Sequence, residues 1–140
     1  MANATDYVED LINQALFKGA SCTALTQTAG IYLGLYLVAP TDTGGGTEVS
    51  TTAGYARILT TAANWTTTTA GTITAKNTTA QTFAANTGTA WIVTDVAFHN
   101  HLTATGFTNY LLRGALSASV TINTGDQFQF AASAAIITIS

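Results

Sequence analysis

Residues Leu35 to Ile58 read LYLVAPTDTGGGTEVSTTAGYARI. An apolar strand runs into three consecutive glycines, and the stretch closes on Tyr55-Ala56-Arg57. Such a loop is either a phosphate cradle or a connection between strands. A phosphate-binding loop needs a lysine and a hydroxyl residue directly after its last glycine, at the start of a helix. Here Gly46 is followed by Thr47-Glu48-Val49, which places a carboxylate where the lysine belongs. A dinucleotide fingerprint needs its glycines between a strand and a helix, whereas β-type sequence follows this loop. The loop therefore reads as a flexible surface connection. The strand before it is more telling. Ile31, Leu33, Leu35 and Leu37 share one face, and Tyr32, Gly34, Tyr36 and Val38 share the other. Apolar residues on both faces place this strand in the middle of a sheet or under cover on both sides, and Pro40, which has no N–H for the ladder, ends it.

The rest of the chain is consistent with a β fold. It has 140 residues, 47% of them hydrophobic, which is enough for one domain with a real core. Only 8% are charged, far below the roughly 25% of an average globular protein. Threonine supplies about one residue in five, and its branched side chain suits a half-wet pleated surface. The net charge is −3, and the four basic residues Lys18, Arg57, Lys76 and Arg113 are scattered. A nucleic-acid partner would require a clustered basic footprint. No apolar run reaches the roughly 20 residues of a membrane span, so no membrane partner is expected, and no leader peptide is apparent at the N-terminus. Cys22 is the single cysteine and makes no disulfide within the chain. Assembly in a cytoplasm is expected.

Outside the opening stretch, the first 19 residues stand apart. Tyr7, Val8, Leu11, Ile12, Ala15 and Leu16 recur at helical spacing. Thr5 is the expected N-cap, Asp6, Glu9 and Asp10 suit the positive end of the dipole, and Lys18-Gly19 suits the other end. So short a helix is marginal alone. Residues 1–19 are thus expected to be a docking arm, with Tyr7, Leu11 and Leu16 as its interaction residues, and residues 20–140 a β-sandwich domain. Alternation predicts further strands at about 55–61, 71–76, 80–84, 89–98, 109–116, 118–123, 126–131 and 135–139. The fold class is all-β, a β-sandwich or jelly roll with one N-terminal amphipathic helix. The threonine-rich segment from Trp65 to Thr82 is read as exposed or subunit-facing strands.

Few residues invite chemistry. His99 and His101, at i and i+2 of a strand, would point the same way and are weak candidates for a shared metal. A third ligand is needed, and the chain has no other histidine; Asp95 or a neighbouring copy would have to supply it. There is no G-x-S-x-G nucleophile elbow, and nothing calls for a cofactor. The acids Asp42, Glu48, Asp95 and Asp126 lie mostly in turn-like contexts, where carboxylates cap backbone amides. Arg57 and Arg113 fall in predicted strands and need partner acids, for which Glu48 and Asp95 are the candidates. Trp65, Trp91 and the tyrosines would serve a carbohydrate-binding module only if they were exposed in a row. An enzyme is not expected.

The opening stretch also resembles a family of tailed-bacteriophage virion proteins. The resemblance rests on Leu35-Tyr36-Leu37-Val38-Ala39-Pro40, the threonine, aspartate and glycine loop, Thr47-Glu48-Val49-Ser50 and Gly54-Tyr55-Ala56-Arg57. It continues through Trp91-Ile92-Val93-Thr94-Asp95-Val96, Leu111 to Leu116 and Asn123 to Ala132, and so covers about residues 30–140. The chain departs from the family pattern at Ser50-Thr51-Thr52-Ala53 and at His99-Asn100-His101. Members are tail-fibre-like or head-decorating, so the resemblance implies a virion structural protein whose partners are other virion proteins: the major capsid protein, or tail or collar proteins. Because the sequence stops after its last strand, without a coiled coil or receptor-binding tip, capsid decoration (cementing) is the first expectation and a tail or collar fibre the alternative. A homotrimer is also expected. So apolar a β domain has surface to cover, and three-fold symmetry is what the resemblance implies.

Overall fold

The computed structural model describes residues 2–20, 30–68 and 74–138. Cys22 and the first residues of the strand expected at 71–76 lie outside them. The chain runs β1 (Ala2–Ala4), α1 (Asp6–Lys18), β2 (Ile31–Val38), β3 (Thr47–Glu48), β4 (Ile58–Thr60), β5 (Trp65–Thr67), β6 (Thr74–Asn77), β7 (Gln81–Thr82), β8 (Trp91–His99), β9 (Tyr110–Ile122), β10 (Gln129–Phe130) and β11 (Ile136–Thr138). Short 3-10 turns at Thr51–Ala53, Ala62–Asn64 and Phe107–Asn109 join some of them. The protein is all-β, with several antiparallel sheets and one N-terminal helix, as in a sandwich.

The largest sheet has the order β1-β9-β8-β2-β3, and β4 also pairs with β2. β2 is central: β8 lies along one edge, while β3 and β4 share the other. Leu33 and Leu35 enter the main core with Val93 and Phe98 of β8. The smaller sheets, β10-β7 and β11-β6-β5, close that core with Phe83, Phe128 and Ile137. Tyr36 is buried in a second cluster with Ala97 and Tyr110. The strand is covered on both faces, as its sequence predicts.

Several expectations are corrected. β1 was not foreseen; it borders β9, with Ala2 opposite Gly114 and Ala4 opposite Leu112. Thr5 occupies the N-cap position of α1, but its buried hydroxyl does not cap the helix. It donates instead to the Tyr110 carbonyl at 2.7 Å, and the Thr5 amide donates to the Leu111 carbonyl at 3.2 Å. The need to satisfy β9 beyond the end of β1 outweighs local capping. Strands expected at 109–116 and 118–123 form the single strand β9. Between Ala115 and Val120 its residues 116–119 stand opposite Thr94 alone, a bulge centred where the sequence broke the pattern. The strand expected at 55–61 shrinks to Ile58–Thr60, and Arg57 precedes it.

The glycine loop is a largely exposed surface connection, as expected, with a defined turn in which Gly44 is buried. Gly44, Gly45 and Gly46 take φ values of 95°, 86° and 75°, a region that L side chains rarely adopt. A Cβ on Gly46 would lie 2.7 Å from the Val38 carbonyl oxygen. The turn folds back over Tyr110, whose hydroxyl donates to the Gly45 carbonyl at 3.3 Å. Because Leu35 is fully buried in the central strand, Leu35→Ala is expected to lower unfolding stability by about 2–5 kcal/mol. Urea denaturation measures this, and a loss below about 1 kcal/mol would contradict the placement of β2.

Candidate functional site

The densest polar cluster lies at a break in the ladder along the outer edge of β2, where the Leu35 carbonyl still accepts the Val49 amide at 3.0 Å. β4 pairs with Ile31 to Leu33, β3 pairs with Tyr36 and Val38, and between them the ladder opens. Tyr55 fills the gap. Its hydroxyl accepts the Leu35 amide at 2.9 Å and donates to Glu48 Oε1 at 2.7 Å. Arg57 completes a forked ion pair, Nε to Oε1 at 2.8 Å and Nη2 to Oε2 at 2.7 Å, the bidentate geometry that suits guanidinium and carboxylate. The remaining Arg57 nitrogen, Nη1, donates to the carbonyls of His101 and Ala104 at 2.8 and 3.0 Å. Arg57 thus fastens the loop after β8 to the strand edge.

Beside this pair lies a neutral chain. His99 is fully buried at the end of β8. Its Nε2 is 3.3 Å from the Tyr36 hydroxyl, which donates to the Tyr110 hydroxyl at 2.8 Å. The two groups meet over Gly34. A Cβ there would lie 2.9 Å from Glu48 Oε1, 3.2 Å from His99 Nε2 and 3.2 Å from the Tyr55 hydroxyl.

Electrostatics follow from burial and partners. For Glu48, burial pushes the pKa upward, but hydrogen bonds from Arg57 and Tyr55 and the charge of Arg57 outweigh it, so the carboxyl stays below its usual range. Burial likewise works against charge on Arg57, and Glu48 overcomes it. Tyr36 and Tyr55 are both raised, chiefly by burial. His99 is pushed down to about 4, first by burial and then by the positive charge of Arg57, against the pull of Glu48 and the Asn109 backbone.

This arrangement holds structure. Every nitrogen of the Arg57 guanidinium donates within the chain, and its side chain is only 3% exposed. The two histidines are not brought together. His99 faces inward, while His101 sits in the loop with Nδ1 accepting the amides of Thr103 and Ala104 at 3.2 and 2.9 Å. Among the described residues, no group of three His, Cys, Asp or Glu side chains could hold a metal ion. Glu48 is the partner foreseen for Arg57. Arg113 instead pairs with Asp42, at 2.7 Å, across the loop that follows β2; Asp95 does not take that place. Asp126 caps a turn as expected, accepting the Asn123 amide at 3.2 Å. Trp91 is buried, and Trp65 is half-buried against Phe98 with ring centroids 5.7 Å apart, so these tryptophans present no exposed row to a sugar.

The surface offers a different feature. In α1, Val8 belongs to the core and Tyr7 packs against it, while Leu11 is half-buried. Beyond Leu11 the apolar residues emerge: Ile12 is 42% exposed, Leu16 72% and Phe17 81%. Of the expected interaction residues, only Leu16 faces solvent freely, and Phe17 was missed because it falls outside the helical stripe. No helix of the described residues is long and apolar enough to cross a membrane.

Residues 3–138 match the family described as Podophage GP4 fiber I protein gp80. The chain belongs to this family. The match supports a tailed-phage virion protein family, the kind that the opening stretch resembles. Within the opening stretch, Glu48, Tyr55 and Arg57 are the residues that close the β2 edge. No curated protein matches the chain.

Two outcomes test the cluster. Arg57→Ala leaves Glu48 buried without its partner and is expected to cost about 3–5 kcal/mol in urea denaturation; the double change Arg57→Met with Glu48→Gln should recover much of it. Because the folded state holds His99 near pKa 4, below its ordinary value of about 6.5, the unfolded chain binds more protons between these values. Stability is thus full above about pH 6.5 and falls toward pH 4, by on the order of 3 kcal/mol. Glu48 adds a loss of the same sign at lower pH. His99→Gln should flatten the slope between pH 6.5 and 4 in thermal melts, and an unchanged slope would assign it to other groups.

Proposed function

We propose that this protein is a non-enzymatic structural component of the phage particle, built into a fibre-type appendage and attached to other virion proteins. The observation that supports this most is the family match, which spans the helix and the β domain together under the description of a fiber protein. That description favours a fibre over capsid decoration. The geometry agrees with a structural role, since the charged side chains of the densest cluster are tied to one another and to backbone. Attachment is assigned to the outer half of α1, where Ile12, Leu16 and Phe17 are exposed on a helix anchored by Val8 and Thr5. Truncating the whole arm would also remove β1 from β9 and Val8 from the core, so point changes separate docking from folding.

Quantitative mass spectrometry of purified particles tests the placement. A copy number matching the symmetry of a tail or neck, far below that of the major capsid protein, is expected. Hundreds of copies would contradict the fibre and favour decoration. Particles grown with a Leu16→Asp, Phe17→Asp variant should lose the protein while the isolated variant keeps the wild-type melting temperature. Full occupancy of the variant would exclude α1 as the attachment element.

A further inference from the structure

The sandwich is not closed everywhere. Between the large sheet and the C-terminal segment lies a cleft of about 440 Å³, lined by Leu33, Phe98, Gly114, Ala115, Phe130 and Ile137 among others. Its origin lies in the sequence. Gly114 and Ala115 offer little side chain where β9 enters its bulge, so the two layers are left unfilled there. None of the cleft's lining residues is charged. The opposite feature stands on the same chain: Phe17 and Leu16 are the two most exposed large apolar side chains described, and no residue of α1 lines the cleft.

We propose that the outer end of α1, led by Leu16 and Phe17, inserts into the cleft beside Gly114 and Ala115 of a second copy of this chain, so that copies join head to tail. Among the described residues, an apolar knob and an apolar hole are both left without an occupant, and a buried aromatic anchor is the usual centre of such contacts. The charges of α1, Asp6, Glu9 and Asp10 against Lys18, leave it acidic on balance. Glu9 lies one turn before Ile12 on the exposed stripe. Lys76 stands opposite Ile136, a lining residue of the cleft, in the β6–β11 ladder. Neither Glu9 nor Lys76 is among the ion pairs of the described residues. Seating Phe17 would bring the acidic side of one α1 toward the lysine of the next copy. Because knob and hole are different surfaces, the contact is heterologous, and it closes into a ring or runs on as a filament according to its rotation. This rests on the reading of α1 as the attachment element and makes the virion protein it meets another copy of this chain; it would hold even if the protein sat elsewhere on the particle.

Sedimentation velocity of the purified chain, with thermal melts on every variant, tests it. The wild type should sediment as a multiple of 14.4 kDa and dissociate on dilution. Phe17→Asp blocks the knob and Ala115→Trp blocks the hole; each alone should fall to the mass of one chain. Mixed together they should form dimers and stop there, since only one knob and one hole remain intact. A wild type that stays monomeric at high concentration, single variants that keep the wild-type mass, or a mixture that stays monomeric would each overturn the proposal. If Ala115→Trp does not fold, Glu9→Lys and Lys76→Glu replace it. Each alone should weaken association and the two in one chain restore it; failure to restore would overturn the proposal equally.

Discussion

The structure depends on a residue with no side chain. Gly34 lies on the central strand where Glu48, Tyr55 and His99 converge, and any Cβ would displace one of them. The convergence is needed because two short strands, rather than one long one, cover the outer edge of β2. Backbone groups left open in the interior have to be satisfied. Tyr55 does so for the Leu35 amide, but a buried tyrosine hydroxyl then needs an acceptor. Glu48 supplies it, and a buried carboxylate in turn needs a cation. Arg57 answers that charge and extends to the loop at His101 and Ala104. Each residue creates the requirement that the next one meets.

Much of this was legible in the sequence. Apolar residues on both faces of Ile31 to Val38 located the central strand, and helical spacing located α1. The mismatch between the glycine loop and a phosphate cradle pointed to a connection between strands, and Glu48 was a foreseen partner of Arg57. What escaped was decided by long-range geometry. β1 is only Ala2–Ala4 and has no pattern to read; it is a strand because the edge of β9 is there to receive it. Thr5 looked like a cap, yet tertiary hydrogen bonds claimed its hydroxyl. Asp42 and Arg113 are far apart in sequence and meet only because the loop after β2 crosses β9. The glycine loop read as slack, and the contact that gives it shape, with Tyr110, comes from a strand much later in the chain.

The same physics separates interior from function. A chain with 8% charged residues carries few groups for chemistry, and its densest cluster uses Glu48 and Arg57 to hold β3, β4 and the loop after β8 in place. Apart from that cluster, the described residues offer shape and apolar area: a helix end with Leu16 and Phe17 exposed and a cleft beside Gly114 and Ala115. Such surfaces suit a protein that is assembled once and stays in place, which agrees with membership in a phage fiber protein family.

The central claim, that the Glu48–Arg57 cluster is a fixed interior while the outer half of α1 is the working surface, is tested most directly by hydrogen–deuterium exchange. Free protein, diluted until monomeric, is compared with the same protein in assembled particles. The account predicts that backbone amides around Gly34, Glu48 and Arg57 are protected equally in both, and that residues 12–17 gain protection on the particle relative to the monomer. Slowed exchange around Gly34 to Arg57 on assembly, with residues 12–17 unchanged, would contradict it and make the cluster itself the contact site.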